Sequence, residues 1–489
     1  MIRCFRIAVL LFCLLLPLMG FCTSAAEYRQ MAEQYVARGN YAQAVEYYRR
    51  EAAIYRKLGD GNAAKVEEMK AERWATEIEL FLETRPTAEE LRANDSGAKG
   101  EPVYGCYVGA CLAYDRNLQR SEHPVADAFA ALTGKKLAVC YDYCRYGQEF
   151  PLAWATQLCQ QAITPQIAWE PNNMSAVRDD AYLHQFARDA ASCGSPIFLR
   201  FACEMNGEWT PYHGDPVLYQ EKFRLVHDVM ARLAPNVIMV WCVNHIPEDN
   251  IDRYYPGDAY VDWVGVNFYS VYYHDNNRKR PAVFESPTSY LKHVYQRYAA
   301  RKPIAICEYG ATHRDTIDGV DRSDFAAAKL TQLLLALPRL YPRVKMIDLF
   351  DCNNIEYARP GRQLNNYCVT DSPSLLFALK RATAPDYYLS RVSREAHTAL
   401  PTYHRRVASA ITVTGHTTLS AWVKSYEEHP TAICLLDGQE IKRCTIPDDC
   451  RMHIVAENLH PGTHTLTLVV RDSKGQNAGK RDFVVTVVK

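Results

Sequence analysis

The chain carries no excess charge of either sign: Lys+Arg and Asp+Glu stand at 56 each among 489 residues. A balanced surface argues against nucleic acid, whose partners present a basic face. Past the N-terminus there is no apolar run of the ~20 residues that a bilayer-spanning helix needs. Paired Cys-x-x-Cys motifs and His-Glu-x-x-His are both missing. His213, His227 and His245 lack ligand spacing, so neither structural nor catalytic zinc is expected. There is no Gly-x-Ser-x-Gly nucleophile elbow and no phosphate-cradling glycine loop, and no cofactor is expected.

What is present begins with a targeting signal. Arg3 and Arg6 precede an apolar run over 7–19, followed by the small residues Thr23, Ser24, Ala25 and Ala26. This is the pattern of a secretory signal peptide over 1–25, and it predicts a secreted, periplasmic or cell-surface protein with no membrane span after cleavage. Cysteine is abundant, at 17. Export permits disulfides, and Cys106/Cys111, Cys140/Cys144 and Cys444/Cys450 are close enough in sequence to pair. Spacing does not decide between them. Cys242 and Cys307 sit inside apolar runs and read as buried thiols.

Three regions follow. Residues 27–84 read as helices, with Ala32, Tyr35, Gly39, Tyr41, Ala44, Tyr48 and Ala52 at helical spacing. The pattern fits one or two tetratricopeptide units or a plain helical hairpin. Too few repeats are present for a free-standing solenoid, so a protein partner on these helices is one expectation. A polar stretch over 93–100 reads as a linker.

From 102 to 380, short apolar runs alternate with amphipathic ones. Eight candidate strands lie at 103–110, 136–141, 165–169, 197–202, 237–243, 261–269, 303–307 and 344–350. Helical periodicity separates most of them, most clearly at 181–191 and 219–233. Alternating strands and helices imply a parallel sheet, and eight units imply an α/β fold closed as a (β/α)8 TIM barrel. A doubly wound sheet is the competing architecture. Residues 405–489 change to period-two alternation, with turn signals at Asp437-Gly438, Pro461-Gly462 and Lys474-Gly475, and predict a β-sandwich of immunoglobulin type.

Two acidic residues stand at the ends of apolar strands. Glu204 follows the fourth and Glu308 ends the seventh. Strand alternation puts Arg200, Ala202 and Glu204 on one face, and Ile304, Ile306 and Glu308 on another. If both faces point inward, two carboxyls meet at the barrel mouth, the arrangement that glycosidic bond cleavage requires.

The motifs themselves resemble glycoside hydrolase family 26. That family carries Arg-x-x-His-Glu-Met-Asn-Gly-x-Trp at the fourth strand; here it stands as Arg200-Phe201-Ala202-Cys203-Glu204-Met205-Asn206-Gly207-Glu208-Trp209. Its nucleophile motif is matched by Lys302-Pro303 through Glu308-Tyr309-Gly310. Gln166-Ile167-Ala168-Trp169-Glu170-Pro171 and the Tyr255-Pro256-Gly257-Asp258 to Tyr269 region resemble the third- and sixth-strand motifs. The likeness runs over about 102–356.

The resemblance implies a retaining endo-β-glycanase acting by double displacement on β-1,4-mannan or a related polysaccharide or oligosaccharide. Glu204 would be acid/base, Glu308 nucleophile, and Tyr269 a hydrogen-bond partner of the nucleophile. Trp169 and Trp209 are candidate sugar platforms, Asn206 and Asn244 candidate partners for sugar hydroxyls, and Arg200 a candidate holder of the carboxylates. Two departures stand out: Cys203 replaces the family histidine, and the eighth strand reads Ile347-Asp348-Leu349-Phe350 without the usual aromatic platform. They motivate an alternative, a catalytically degenerate glycan-binding or scaffold protein.

Overall fold

The computed structural model describes residues 24–119, 125–394, 401–427 and 429–488. Of the expected signal peptide, residues 1–23 lie outside the described residues. Ser24 is the N-cap of the first helix, its hydroxyl accepting from the Glu27 amide while the Glu27 carboxylate accepts from the Ser24 amide. No described helix is long and apolar enough to cross a membrane.

Three helices form a unit of their own over the described residues up to Thr76: α1 (Ala25–Ala37), α2 (Tyr41–Lys57) and α3 (Gly61–Trp74). Asn40 and Asp60 cap α2 and α3 with side-chain oxygens, each closing a first turn that would otherwise leave bare amides. The core is small and alanine-rich, built from Ala32, Ala44, Val45, Tyr48, Ala71 and Ala75. Small side chains let the helices approach closely, and the Tyr41 and Trp74 rings stack at 4.6 Å. Buried Glu51 is paired by Arg29 at 2.7 Å.

The second unit, Glu77–Lys489, holds a barrel and a β-sandwich. The expected helical segment to residue 84 is corrected at its end. Glu77–Thr84 is a strand, β1, with Ile78, Leu80 and Phe81 buried. Its Glu-Ile-Glu-Leu-Phe-Leu run alternates with period two, and that periodicity prevails over the helical pattern before it.

The barrel strands are β2 (Cys106–Cys111), β3 (Val139–Arg145), β4 (Thr164–Glu170), β5 (Ile197–Phe201), β6 (Val237–Asn244), β7 (Trp263–Ser270), β8 (Ile304–Ala311) and β9 (Val344–Phe350). Each pairs in parallel with the next, and β9 closes on β2 through registers running from Met346↔Tyr107 to Phe350↔Cys111. The sheet is therefore a closed eight-stranded barrel and not a doubly wound sheet. Between the strands run α4 (Val125–Thr133), α5 (Leu152–Gln160), α6 (Ala181–Ser192), α7 (Pro216–Leu233), α8 (Pro287–Tyr298) and α9 (Ser323–Leu340). α10 (Pro373–Ala382) follows β9. Between β6 and β7 the connection is made by the 3-10 turns Glu248–Tyr254 and Asp258–Tyr260.

Two apolar layers result. One lies between strands and helices, with Ile304, Ile306, Leu333 and Leu337 among its members; the other fills the barrel, with Phe198, Val240, Cys242, Trp263, Ala305 and Cys307.

The remaining strands are β10 (Tyr403–Val407), β11 (Ala410–Val413), β12 (His416–Lys424), β13 (Thr431–Leu436), β14 (Gln439–Thr445), β15 (Cys450–Val455), β16 (Gly462–Arg471) and β17 (Asn477–Val487). They form sheets of order β10-β1-β12-β15 and β11-β17-β16-β13-β14 around one core. β1 lies inside the first sheet, pairing Leu80 with both Val407 and Ala421, so the sandwich is completed from a segment on the far side of the barrel in sequence from the expected boundary at 405. Of the cysteine pairs considered, Cys444–Cys450 is bonded, whereas Cys106, Cys111, Cys140 and Cys144 are buried free thiols. Cys242 and Cys307 are buried thiols inside the barrel.

Candidate active site

Neither carboxylate reaches the mouth by the simple alternation expected of it. Ile304 and Ile306 face the helices, while Ala305 and Cys307 face the barrel interior. A bulge then interrupts β8. Opposite β7, Val266 pairs with Ile306 but Asn267 pairs with Glu308; opposite β9, Ile347 pairs with Ile306 and Leu349 with Tyr309. The extra residue turns Glu308 inward beside Cys307, where straight pleating would have sent it outward.

On β5 the regular strand stops at Phe201. Ala202 and Glu204 have φ of +51° and +59°, a left-handed conformation that non-glycine residues adopt at a cost of order 1–3 kcal/mol. Neighbouring strands hold this bend: Ala202 N donates to Trp169 O and Glu204 N to Cys242 O, both at 2.9 Å. The bend turns Cys203 into the barrel interior against Cys242 and lifts the Glu204 carboxyl to the mouth. Cys203 is buried.

The two carboxyls are furnished differently. Glu308 Oε1 accepts from Arg200 Nη1 at 3.0 Å and from the Tyr143 hydroxyl at 2.8 Å, and Oε2 accepts from the Tyr269 hydroxyl. Arg200 is fully buried with its guanidinium over the Tyr141 ring at 4.6 Å. Glu308 is therefore held by a cation and two hydroxyl donors. Burial and the Glu308 charge push the Tyr269 phenol well up, so it keeps its proton and donates.

Glu204 Oε1 accepts from Asn244 Nδ2 at 2.9 Å and Asn267 Nδ2 at 3.0 Å, and Oε2 from the Trp209 indole at 2.6 Å. No cation touches it among the described residues. Burial first, then the Glu308 charge, raise its pKa above the ordinary glutamate value, against the pull of its three donors. Glu308 thus faces a cation and Glu204 only neutral donors, the kind of asymmetry on which acid/base catalysis draws.

Of the residues expected from sequence, Glu204, Glu308, Arg200, Tyr269, Asn244 and Trp209 converge here. Trp209 is 40% exposed, with its ring face available and its N–H tied to Glu204. Two do not converge. Trp169 is fully buried, stacked on Phe186 at 3.9 Å; it faces the helix layer and is core, not a sugar platform. Asn206 is also fully buried. Its amide donates to the carbonyls of Asn244, Ile246 and Pro247 and its oxygen accepts from Asn244 N, so it clamps the end of β6 and offers nothing to a sugar.

Three residues went unassigned in the sequence: Tyr143, Asn267 and Glu170. Each lies near the C-terminal end of a barrel strand with inward parity, the position at which barrel enzymes collect function. Burial, with Glu308 as the second cause, pushes the Glu170 carboxyl up to about 7.

Residues 171–287 match the model for Glycosyl hydrolase family 26. The match lies within the barrel. The matched span contains Glu204, and Glu308 lies in the same barrel beyond it. Over 226 residues the chain is 28% identical to endoglucanase H of Acetivibrio thermocellus, covering 42% of this chain and 24% of that protein. Over 106 residues it is 28% identical to a beta-1,3-xylanase of Vibrio sp, covering 21% and 23%. The chain therefore spans about a quarter of the length of these curated relatives. Among solved structures it is similar to the catalytic domain of a Bacillus sp. JAMB-750 family 26 endo-beta-1,4-mannanase, at 16% identity and a TM-score of 0.44 over 63% of this chain and 91% of that one.

Proposed function

We propose that this protein is an exported retaining endo-β-glycanase. Glu308 attacks the anomeric carbon while Glu204 protonates the departing glycosidic oxygen. A glycosyl ester on Glu308 results. Glu204, now ionised, takes a proton from water, which attacks the same carbon and frees the carboxylate. Arg200, Tyr143 and Tyr269 hold the nucleophile and aim it. Asn244, Asn267 and Trp209 orient the acid.

The observation that carries this reading is the contrast between the two carboxyls: a cation and hydroxyls on Glu308, only neutral donors on Glu204, within one barrel mouth of family 26. β-1,4-Mannan is the first substrate, on the family likeness of the strand motifs. The xylanase relative adds β-xylan as a competitor. The N-terminal basic and apolar pattern supports export.

The test is a substrate panel: the mature protein incubated with mannan, glucomannan, β-1,3- and β-1,4-xylan and mixed-linkage glucan, followed by reducing-end assay and chromatography. Reducing ends from mannan, with a spread of oligosaccharides, are expected. Glu308→Ala should release none while keeping its thermal transition. Retardation on a native glycan gel with no product from any polysaccharide would overturn the catalytic reading in favour of a non-catalytic binder.

A further inference from the structure

A second polar cluster lies on the same C-terminal rim of the barrel, where its last strand closes on its first. Asp115 follows β2 by four residues, Asp351 directly follows β9, and Cys368 sits in the loop beyond. All three are buried, at 0%, 0% and 1% exposure, and one ligand atom from each lies within 4.8 Å of the others.

The hydrogen bonds leave this cluster incomplete. Asp115 is satisfied by the amides of Asn117 and Leu118 and by the Thr370 hydroxyl. Asp351 Oδ1 accepts from Val369 N at 2.7 Å, but its Oδ2 is sealed from solvent and has no partner. The Asp351 carboxyl also lies within hydrogen-bonding reach of the Asp115 carboxyl. Two buried carboxyls facing each other repel unless a proton or a cation joins them, and an unsatisfied buried carboxylate oxygen is costly. The thiols of Cys111 and Cys352 lie beside one another and against Asp351.

We propose that Asp115, Asp351 and Cys368 bind a structural divalent metal of the zinc class. Hard carboxylates alone would suit calcium or magnesium, but a thiolate selects a softer ion. Zinc–oxygen and zinc–sulfur distances of ~2.0–2.3 Å place ligands roughly 3.3–3.8 Å apart, so the widest pair has to close by at most about an ångström. Because Asp115 stands far in sequence from Asp351 and Cys368, no compact ligand motif appears in the sequence, and the expectation of no zinc drawn from missing motifs does not reach this site.

The consequence concerns the active site. Tyr367, adjacent to Cys368, packs on Tyr269 at 5.2 Å, and Phe350, adjacent to Asp351, packs on it at 5.5 Å. Tyr269 donates to Glu308. The metal would fasten the loop that supports the nucleophile's partner.

The test uses the full mature chain, untagged and kept reduced with a phosphine. Metal content is measured by mass spectrometry after dialysis, and thermal transitions are followed with added zinc chloride, calcium chloride or dipicolinate. The inference expects about one zinc per chain, a transition that falls with dipicolinate and recovers with zinc, and no response to calcium. Cys368→Ser and Asp351→Asn should each weaken zinc binding by on the order of 100-fold or more, beyond the loss seen on removing an outer-sphere partner. Wild-type protein that holds no zinc, and whose transition does not move with zinc or chelator, would overturn the site whatever the variants do. Saturation by calcium and not zinc would overturn the assigned metal class.

Discussion

Single side chains set the electrostatics of the barrel. Asp348, on β9, is fully buried; its Oδ2 accepts from Gln166 Nε2 at 2.6 Å, while Oδ1 has no partner. A Cβ added at Gly109 would come within 1.9 Å of that oxygen, so glycine is required opposite it. Burial pushes the Asp348 carboxyl up to about 7, above the ordinary ~3.9. Between about pH 4 and 7 the folded chain therefore holds a proton that the unfolded chain has released. Stability from this group is full below that window, is lost as pH rises through it, and stays lost above about 7. Asp348→Asn keeps the shape and removes the ionisation. In thermal melts from pH 4.5 to 8, the variant should gain on the wild type steadily as pH rises; a constant difference across the range would refute the assignment.

At the scale of elements, the bend after β5 and the bulge in β8 do what pleating alone does not. The eight barrel strands were legible because buried parallel strands are short apolar runs between amphipathic ones, and each expected strand overlaps an observed one. The two acidic positions were legible as strand ends. The faces were not: alternation grouped Glu308 with Ile304 and Ile306, whereas one extra residue at the bulge reverses the parity, and nothing in Ile-Ala-Ile-Cys-Glu-Tyr-Gly marks where that residue goes. Likewise Trp169 and Trp209 are the same residue type beside strands, and only the layer each faces separates core from mouth.

The loop after β5 also depends on Gly207. A Cβ there would sit 2.3 Å from the Trp209 ring, and its backbone needs no left-handed φ. Gly207→Ala should therefore displace the indole and break its hydrogen bond to Glu204. An interaction with a charged or charge-sharing group contributes about 1.5–3 kcal/mol, so kcat/KM should fall on the order of 10–100-fold with little change in melting temperature. Unchanged kcat/KM would show that Trp209 does not position the acid.

Over the whole molecule, β1 ties the ends of the chain together. Phe81 on β1, Trp422 on β12 and Ala336 on α9 share a core between sandwich and barrel, and Arg339 of α9 reaches Asp449 at 2.6 Å. Sequence order hid this because β1 is separated from its partners by the entire barrel, and no local signal reports such a pairing. The division of the molecule falls at residue 76 and not at 84. A chain beginning at Glu77 should therefore melt cooperatively and keep its glycanase activity. One beginning at Ala88 removes the strand between β10 and β12, and should lose several degrees or fail to fold. Equal stability of the two truncations, measured by calorimetry, would contradict the placement of β1.

The account rests on Glu308 forming the bond to sugar while Glu204 shuttles the proton. The most direct measurement traps that bond: a 2-deoxy-2-fluoro aryl glycoside of the sugar identified by the panel, incubated with the enzyme, proteolysed and mapped by mass spectrometry. The account predicts one adduct per chain on the peptide carrying Glu308, absent from Glu308→Ala. An adduct on Glu204 or Glu170, or turnover of the natural substrate with inverted anomeric configuration, would contradict it.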